Sequence, residues 1–161
     1  MVAVAEIIEV PNPLKTKVSY GPDGVDAAML EKAEAMIANL QGDFVVWVQD
    51  DLKKLQQFFD TASGQPEAER ALAMKEVFGV LHDMKGQGGS FGYPLVTSIS
   101  NTLCRFMESI TNYGPQEMEA ILIHINTLRL IVAERLSGDG GIKGEKLVKG
   151  LELVLHKFAP K

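Results

Sequence analysis

The sequence predicts an all-α protein: an antiparallel up-and-down four-helix bundle with additional N-terminal and C-terminal helices and an extended N-terminal arm. Apolar residues recur every three or four positions from residue 25 almost to the C terminus, which is the period of an amphipathic helix. Stretches rich in glycine and proline divide this pattern into segments of helical length, and no strand pattern occurs outside the arm. Short connections between such segments favour antiparallel neighbours in a bundle.

Residues 1–22 form the predicted arm, and residues 23–161 a single helical domain. Val2–Val10 is rich in β-branched residues and can be extended, and Pro11-Asn12-Pro13 stops any regular element. We expect the arm to lie on the body of the protein or to be partly disordered, with contact to a partner chain as the alternative.

The first two helices follow the arm. Asp23 or Asp26 can cap a helix that runs to about Leu40, and a second helix is predicted over Asp43–Asp60. The second one has a single apolar face, made of Phe44, Val48, Leu52, Leu55 and Phe59. Residues 63–66 break it.

Four further helices complete the prediction. The third runs from about Pro66 to Phe91, and the fourth begins near Pro94. The fifth follows the break at residues 112–115, and the glycine-rich stretch 138–144 ends it. The last helix covers about 145–158. The fourth and fifth helices carry apolar stripes that include Leu95, Ile99, Leu103, Phe106 and Ile110, and Met118, Leu122, Ile125, Val132 and Leu136.

Composition and charge exclude several classes of protein. The 161 residues suit one domain, and 46% hydrophobic with 23% charged residues is typical of a globular chain. A net charge of −5 disfavours nucleic-acid binding, and a single cysteine, Cys104, excludes an internal disulfide. No segment reads as a membrane span or a signal peptide, so we expect a cytoplasmic protein without membrane insertion.

Glycines in the third helix contradict its apolar pattern. Gly79, Gly86, Gly88 and Gly89 fall in or near its C-terminal half, and each costs about 0.5–1 kcal/mol against alanine inside a helix. Either the helix ends near Lys85, or small residues are needed there for a close approach. The apolar period continues past the glycines to Phe91, which favours the second interpretation.

A helical wheel places His82 on the polar side of this helix. The core side holds Val77, Val80, Leu81, Met84, Gly88 and Phe91. Around His82 lie Lys75, Phe78, Gly79, Lys85, Gly86 and Gly89. The histidine should therefore be exposed near the middle of a long helix, among side chains too small to shield it.

His82-Asp83-Met84-Lys85-Gly86 resembles the His-x-x-Lys-Gly signature of histidine-containing phosphotransfer (HPt) domains, which serve multistep two-component phosphorelays. Gly92 stands where that family often has a glycine closing the helix, and Leu95–Glu108 is similar to the helix that follows. The similarity is good over about residues 70–110, within a motif core of about 66–112.

The resemblance implies a phosphorelay carrier. His82 would be the phosphoacceptor, usually at the ring nitrogen farther from the backbone, and Lys85 would offset the incoming negative charge. Phe78, Gly79, Gly86 and Gly89 would form the face on which a partner docks. The partners would be receiver domains of a hybrid histidine kinase, of a response regulator, or of both.

The same resemblance implies a carrier rather than an enzyme. The chain shows no kinase-like nucleotide motif and has no room for a kinase domain, so we expect no ATP site and no cofactor. Mg²⁺ would be held by the partner's carboxylates. Residues 70–107 carry four basic and two acidic side chains, a local excess of +2 that would face the acidic site of a receiver.

Other interpretations stay open at this point. A helical adaptor could bind receiver or kinase domains without carrying phosphate, and a small hydrolase could use His82 as a base. A metal site would need His82, His124 and His156 to converge. Gly86–Ser90 resembles a phosphate loop only superficially, because it lacks the Gly-Lys-Ser/Thr ending and does not follow a strand. We expect Cys104 to be a buried packing residue.

Overall fold

A computed structural model of the chain describes Gly24 and residues 26–158, apart from the side chain of Gln41. These residues contain helices and no β-strand, which confirms the all-α prediction. The predicted arm falls outside the described residues, with Gly24 just beyond it. The elements are α1 Ala27–Ser63, α2 Glu67–Gly88, a 3₁₀ turn Gly89–Phe91, α3 Pro94–Ser109, α4 Pro115–Ala133 and α5 Gly141–Phe158.

The described residues fall into two units, one ending at Met36 and one beginning at Ile37. In the first unit, Asp26 caps the start of α1, because its Oδ1 accepts a hydrogen bond of 3.0 Å from the amide of Ala28. The side chains of this part of α1 are exposed, including Met29, Leu30 and Met36.

The prediction of separate helices ending at Leu40 and starting at Asp43 is wrong, because α1 runs unbroken through both. Gly42 has the lowest helix propensity of the residues there, and one glycine costs about 0.5–1 kcal/mol. A Cβ at Gly42 would meet nothing within 4 Å, so this glycine marks neither a turn nor a close contact. The apolar stripe continues across it, from Leu40 to Phe44 and Val48, and the helix continues with it.

The hydrophobic core lies in the second unit. There α2 packs against α3, α3 against α4, and α5 against both α3 and α4. The rest of α1 adds its predicted stripe to the same core. Phe91 of the 3₁₀ turn stacks on Phe44 of α1 at 5.0 Å between ring centroids. The largest fully buried side chains are Phe44, Leu55, Met74, Leu81, Met84, Ile99, Leu103, Ile121, His124, Ile125, Leu128 and Ile131.

A left-handed residue follows the 3₁₀ turn, and another follows α4. After the 3₁₀ turn, Gly92 has a φ of 80°, and the amide of Tyr93 donates back to the carbonyl of Gly88 at 2.8 Å. After α4 the same role falls to Arg135, with a φ of 50°, and the amide of Leu136 donates to the carbonyl of Ile131 at 2.9 Å. The helix predicted as the fifth is α4, and it ends at Ala133, well before the glycines at 138–144 that were predicted to end it.

The last helix begins earlier than predicted, inside the glycine-rich stretch. Asp139 Oδ1 accepts a 2.9 Å hydrogen bond from the amide of Gly141, which caps α5. Gly144 lies within the helix, and a Cβ there would collide with the carbonyl of Asp139 and come within 3.0 Å of Leu95 Cδ1. Glycine is thus required at this point by the close approach of α5 to its own capping loop.

Among the described residues, no helix has both the length and the apolar character needed to cross a membrane.

His124 is fully buried in α4. Its Nδ1 lies 2.8 Å from the carbonyl of Ala120, and its Nε2 has no hydrogen-bond partner among the described residues. Burial lowers the pKa of this imidazole, and the hydrogen bond to Ala120 opposes the shift only in part. The folded protein therefore holds His124 in its neutral form, with Nδ1 as the donor.

We predict that His124 makes the fold sensitive to mild acid. A histidine in the unfolded chain takes up a proton near pH 6.5, whereas His124 in the folded protein does so only at lower pH. Between these two pKa values the unfolded state binds more protons than the folded state. The free energy of unfolding therefore decreases as the pH is lowered, by at most about 1.4 kcal/mol per pH unit. Urea denaturation from pH 7.5 to 5 measures this slope.

His124→Asn should flatten the slope, since asparagine can donate to Ala120 without titrating. His156→Asn is the matched control, because His156 is exposed in α5. A slope that is the same in the wild type and in His124→Asn would contradict the assignment.

Candidate functional site

His82 is exposed on α2, opposite the buried stripe of Val77, Leu81 and Met84. The wheel therefore placed the imidazole on the correct face. Its position along the helix differs from the prediction, because His82 lies in the last two turns of α2 rather than near the middle. Regular α-helix ends at Gly88 rather than at Phe91, so only six residues of α2 follow His82.

Phe78 lies one turn before His82 on the same face. The two rings are nearly parallel, with an interplanar angle of 26° and a centroid separation of 6.3 Å. Phe78 is half-buried, and its ring packs against the hydrophobic core on the side away from solvent. One ring therefore contacts both the core and the exposed imidazole.

Lys85 and Asp83 lie on opposite flanks of His82. Lys85 is half-buried on the side of α3, where its charge acts on Cys104. Burial, the larger effect, raises the pKa of that thiol, and Lys85 lowers it in part. Asp83 is on the side of α1, where it adds weakly to the hydrogen bond and charge of Asp51 that raise the pKa of Lys54. The imidazole therefore sits between a cationic and an anionic flank.

The glycines around His82 fall into two kinds. A Cβ at Gly79 or Gly86 would meet nothing within 4 Å, so both leave open space beside the imidazole. Gly88 is buried, and a Cβ there would lie 2.9 Å from Thr97 Oγ1 and 2.9 Å from the carbonyl of Tyr93. A Cβ at Gly89 would make only an ordinary contact, 3.5 Å from Thr97 Oγ1. Close packing therefore requires glycine only at position 88.

Arg70, one of the four basic residues of the stretch 70–107, is bonded to two backbone carbonyls away from His82. Arg70 bonds through Nε to the carbonyl of Gln65 at 3.1 Å and through a terminal nitrogen to the carbonyl of Tyr113 at 2.9 Å. It lies twelve residues before His82, about 18 Å along a helix axis. Arg70 thus ties α2 to the loop before α4, and Lys85 is the cation one turn from His82.

The other candidate residues are placed apart from one another. His124 is buried in the core, whereas His82 and His156 are exposed. The described residues contain no group of three or more histidine, cysteine, aspartate or glutamate side chains arranged to hold a metal ion. Cys104 is buried, as its place beside the stripe of α3 predicts. Gly86–Ser90 forms the end of α2 and the start of the 3₁₀ turn rather than a loop.

Sequence reasoning missed Thr97. Its hydroxyl accepts a 2.7 Å hydrogen bond from the amide of Gly89 and donates a 2.9 Å bond to the carbonyl of Lys85. Threonine in the first turn of an amphipathic helix is an ordinary residue, and the contact joins residues twelve apart in the chain. The one signal in the sequence was Gly88 on the core side of the wheel, which indicates a close neighbour without identifying it.

No known protein family matches the chain, and comparison with curated proteins and with solved structures gave no match either.

We predict opposite effects for alanine at two nearby glycines. Gly86→Ala should stabilise the protein by about 0.5–1 kcal/mol, because the added methyl group meets open space and alanine favours the helix. Gly88→Ala should destabilise it by about 1–3 kcal/mol, because the methyl group would collide with Thr97 and with the carbonyl of Tyr93. Urea denaturation of both variants measures the difference, and equal effects would contradict the packing described for Gly88.

Proposed function

We propose that the protein is a phosphorelay carrier of the histidine-containing phosphotransfer type. It would accept a phosphoryl group on His82 from the aspartyl phosphate of one receiver domain and pass it to another. The observation that carries the proposal is an exposed histidine on a helix with Lys85 one turn further on and open space at Gly79 and Gly86. The His-x-x-Lys-Gly motif supplies those residues in the same order.

Accessibility supports transfer between two folded proteins. An aspartyl phosphate lies in an acidic pocket of the receiver, so the accepting nitrogen must reach into a second protein. His82 stands on a convex helix surface, and the glycines beside it leave room for the receiver to approach. The half-buried ring of Phe78 offers an apolar contact next to the imidazole and restrains it from one side.

The transfer step balances without an added reactant. A ring nitrogen of neutral His82 attacks phosphorus with its lone pair, and the bond from phosphorus to the aspartate oxygen breaks. The aspartate leaves as a carboxylate with that electron pair, and the imidazole keeps the proton on its other nitrogen. In the onward step a carboxylate of the second receiver attacks phosphorus, and the imidazole leaves.

Lys85 contributes electrostatics to this step. The phosphoryl group brings negative charge to a site that Asp83 makes less favourable on one flank. A cation one turn away on the other flank offsets that charge as the group arrives, and it does so most effectively in a site that the docked receiver closes to water. Mg²⁺ would be bound by the receiver's carboxylates, and this chain would supply neither ATP nor a metal site.

We predict that His82→Gln abolishes phosphoryl acceptance and leaves the fold intact. An exposed side chain contributes little to packing, so the free energy of unfolding should change by less than about 0.5 kcal/mol. Receiver domains phosphorylated with a labelled donor measure acceptance, and circular dichroism checks the fold. His156→Gln, at an exposed histidine of α5, is the control and should accept normally. Retained labelling of His82→Gln would move the site to another residue.

We also predict that variants of the docking face and of Lys85 affect different steps, the first receiver binding and the second phosphoryl transfer. Gly86→Leu or Gly89→Leu should weaken receiver binding and slow transfer, because a bulky side chain obstructs the docking face. Gly86→Leu gives the cleaner result, since Gly89 also touches Thr97. Lys85→Ala should leave binding largely intact and slow the transfer step itself.

Gly150→Leu is the control for the glycine variants. Gly150 is an exposed glycine inside α5 with nothing within 4 Å of its Cβ position, so the same substitution there should affect neither binding nor transfer. Binding affinity and the rate of transfer at saturating receiver are measured separately. A normally folded Gly86→Leu that binds and transfers like the wild type would refute the steric role of the glycine face.

A further inference from the structure

The end of α2 is held by a hydroxyl group from the neighbouring helix. In a regular α-helix the amide of Gly89 would donate directly to the carbonyl of Lys85, four residues earlier. Thr97 Oγ1 bonds to both of these groups, accepting from the amide of Gly89 at 2.7 Å and donating to the carbonyl of Lys85 at 2.9 Å. One hydroxyl of α3 thus satisfies both groups at the place where α2 changes into the 3₁₀ turn.

Gly88 makes this close contact between α2 and α3 possible. A Cβ at Gly88 would lie 2.9 Å from Thr97 Oγ1 and 3.0 Å from the amide nitrogen of Thr97, both too close for an ordinary contact. The first turn of α3 therefore approaches the backbone of α2 directly, without a side chain between them.

The carbonyl that Thr97 holds belongs to Lys85. It lies in the last turn of α2, just before the 3₁₀ turn. Bonding to α3 fixes the backbone from which the Lys85 side chain projects, one turn from His82. A charge helps a transfer step only if it is held in place before the reaction, so the position of this backbone matters to the chemistry.

We propose that Thr97 is a positioning residue for phosphoryl transfer, acting through Lys85; this inference rests on the function proposed above. The hydroxyl of Thr97 holds the Lys85–Gly89 turn so that the Lys85 ammonium group stays beside the imidazole. Loss of the hydroxyl slows the transfer step and leaves the affinity for the receiver unchanged, because Thr97 is not on the docking face.

The test compares three variants of α3. Thr97→Val keeps the shape and removes the hydroxyl, and Thr97→Ser keeps the hydroxyl. Thr102→Val removes a hydroxyl that bonds only within α3, to the carbonyl of Ser98 at 3.0 Å. At saturating receiver, the rate of transfer should fall on the order of tenfold in Thr97→Val. It should stay within about twofold of the wild type in Thr97→Ser and Thr102→Val.

A double variant shows whether the slower transfer of Thr97→Val is caused through Lys85. In a Lys85→Ala background, Thr97→Val should slow transfer no further, because the charge it positions is already absent. A general loosening of the fold would slow both backgrounds equally, and that result would overturn the proposal. Circular dichroism verifies folding. If Thr97→Val does not fold, Thr97→Ala carries the same comparison, since it removes the hydroxyl without placing a methyl group against the two polar backbone groups.

Failure of the inference and failure of the proposed function give different results. A wild-type protein that accepts phosphate, beside a folded Thr97→Val variant with the same rate, overturns the role of Thr97 alone. A wild-type protein that accepts no phosphate from any receiver overturns the proposed function and the role of Thr97 with it.

Discussion

The contact of α2 with α3 determines what the exposed face of α2 can do. Val77, Leu81 and Met84 are buried, so the residues opposite them are turned to solvent wherever the helix stays regular. At the end of the contact, Gly88 lets Thr97 reach the backbone of α2 and fix its last turn. His82 and Lys85 lie in the last two turns of α2. The position of Lys85 relative to His82 therefore depends on the contact of these turns with α3.

The arrangement combines rigid support with an accessible surface. The imidazole of His82 is exposed, yet Phe78 restrains it on one side and the backbone under Lys85 is bonded to α3. A carrier that must serve two partners needs a site open enough for either and defined enough for transfer. Gly79 and Gly86 leave the imidazole accessible, since a Cβ at either position would meet nothing within 4 Å. The contacts of α2 with the core keep the helix that carries the imidazole in place.

Much of this could be predicted from the sequence, because it follows from local patterns. The helical period gave the exposure of His82 and the burial of Leu81 and Met84, and Pro94 marked the start of α3. Three features depend on tertiary context and could not be predicted. First, α1 runs through Gly42 without a break. Second, the left-handed residue after α4 is Arg135, where glycine is usual. Third, Thr97 of α3 bonds to the end of α2. The complete burial of His124 likewise depends on the helices packed around it.

The most direct measurement is to map the phosphate on the wild-type protein after incubation with phosphorylated receiver domains. Peptides analysed at neutral to basic pH preserve phosphohistidine, which acid hydrolyses, and fragmentation assigns the modified residue. The account predicts one acid-labile phosphate, on His82, which is lost again when an unphosphorylated receiver and Mg²⁺ are added. An acid-stable phosphate, a label on His124 or His156, or no label from any receiver would contradict it.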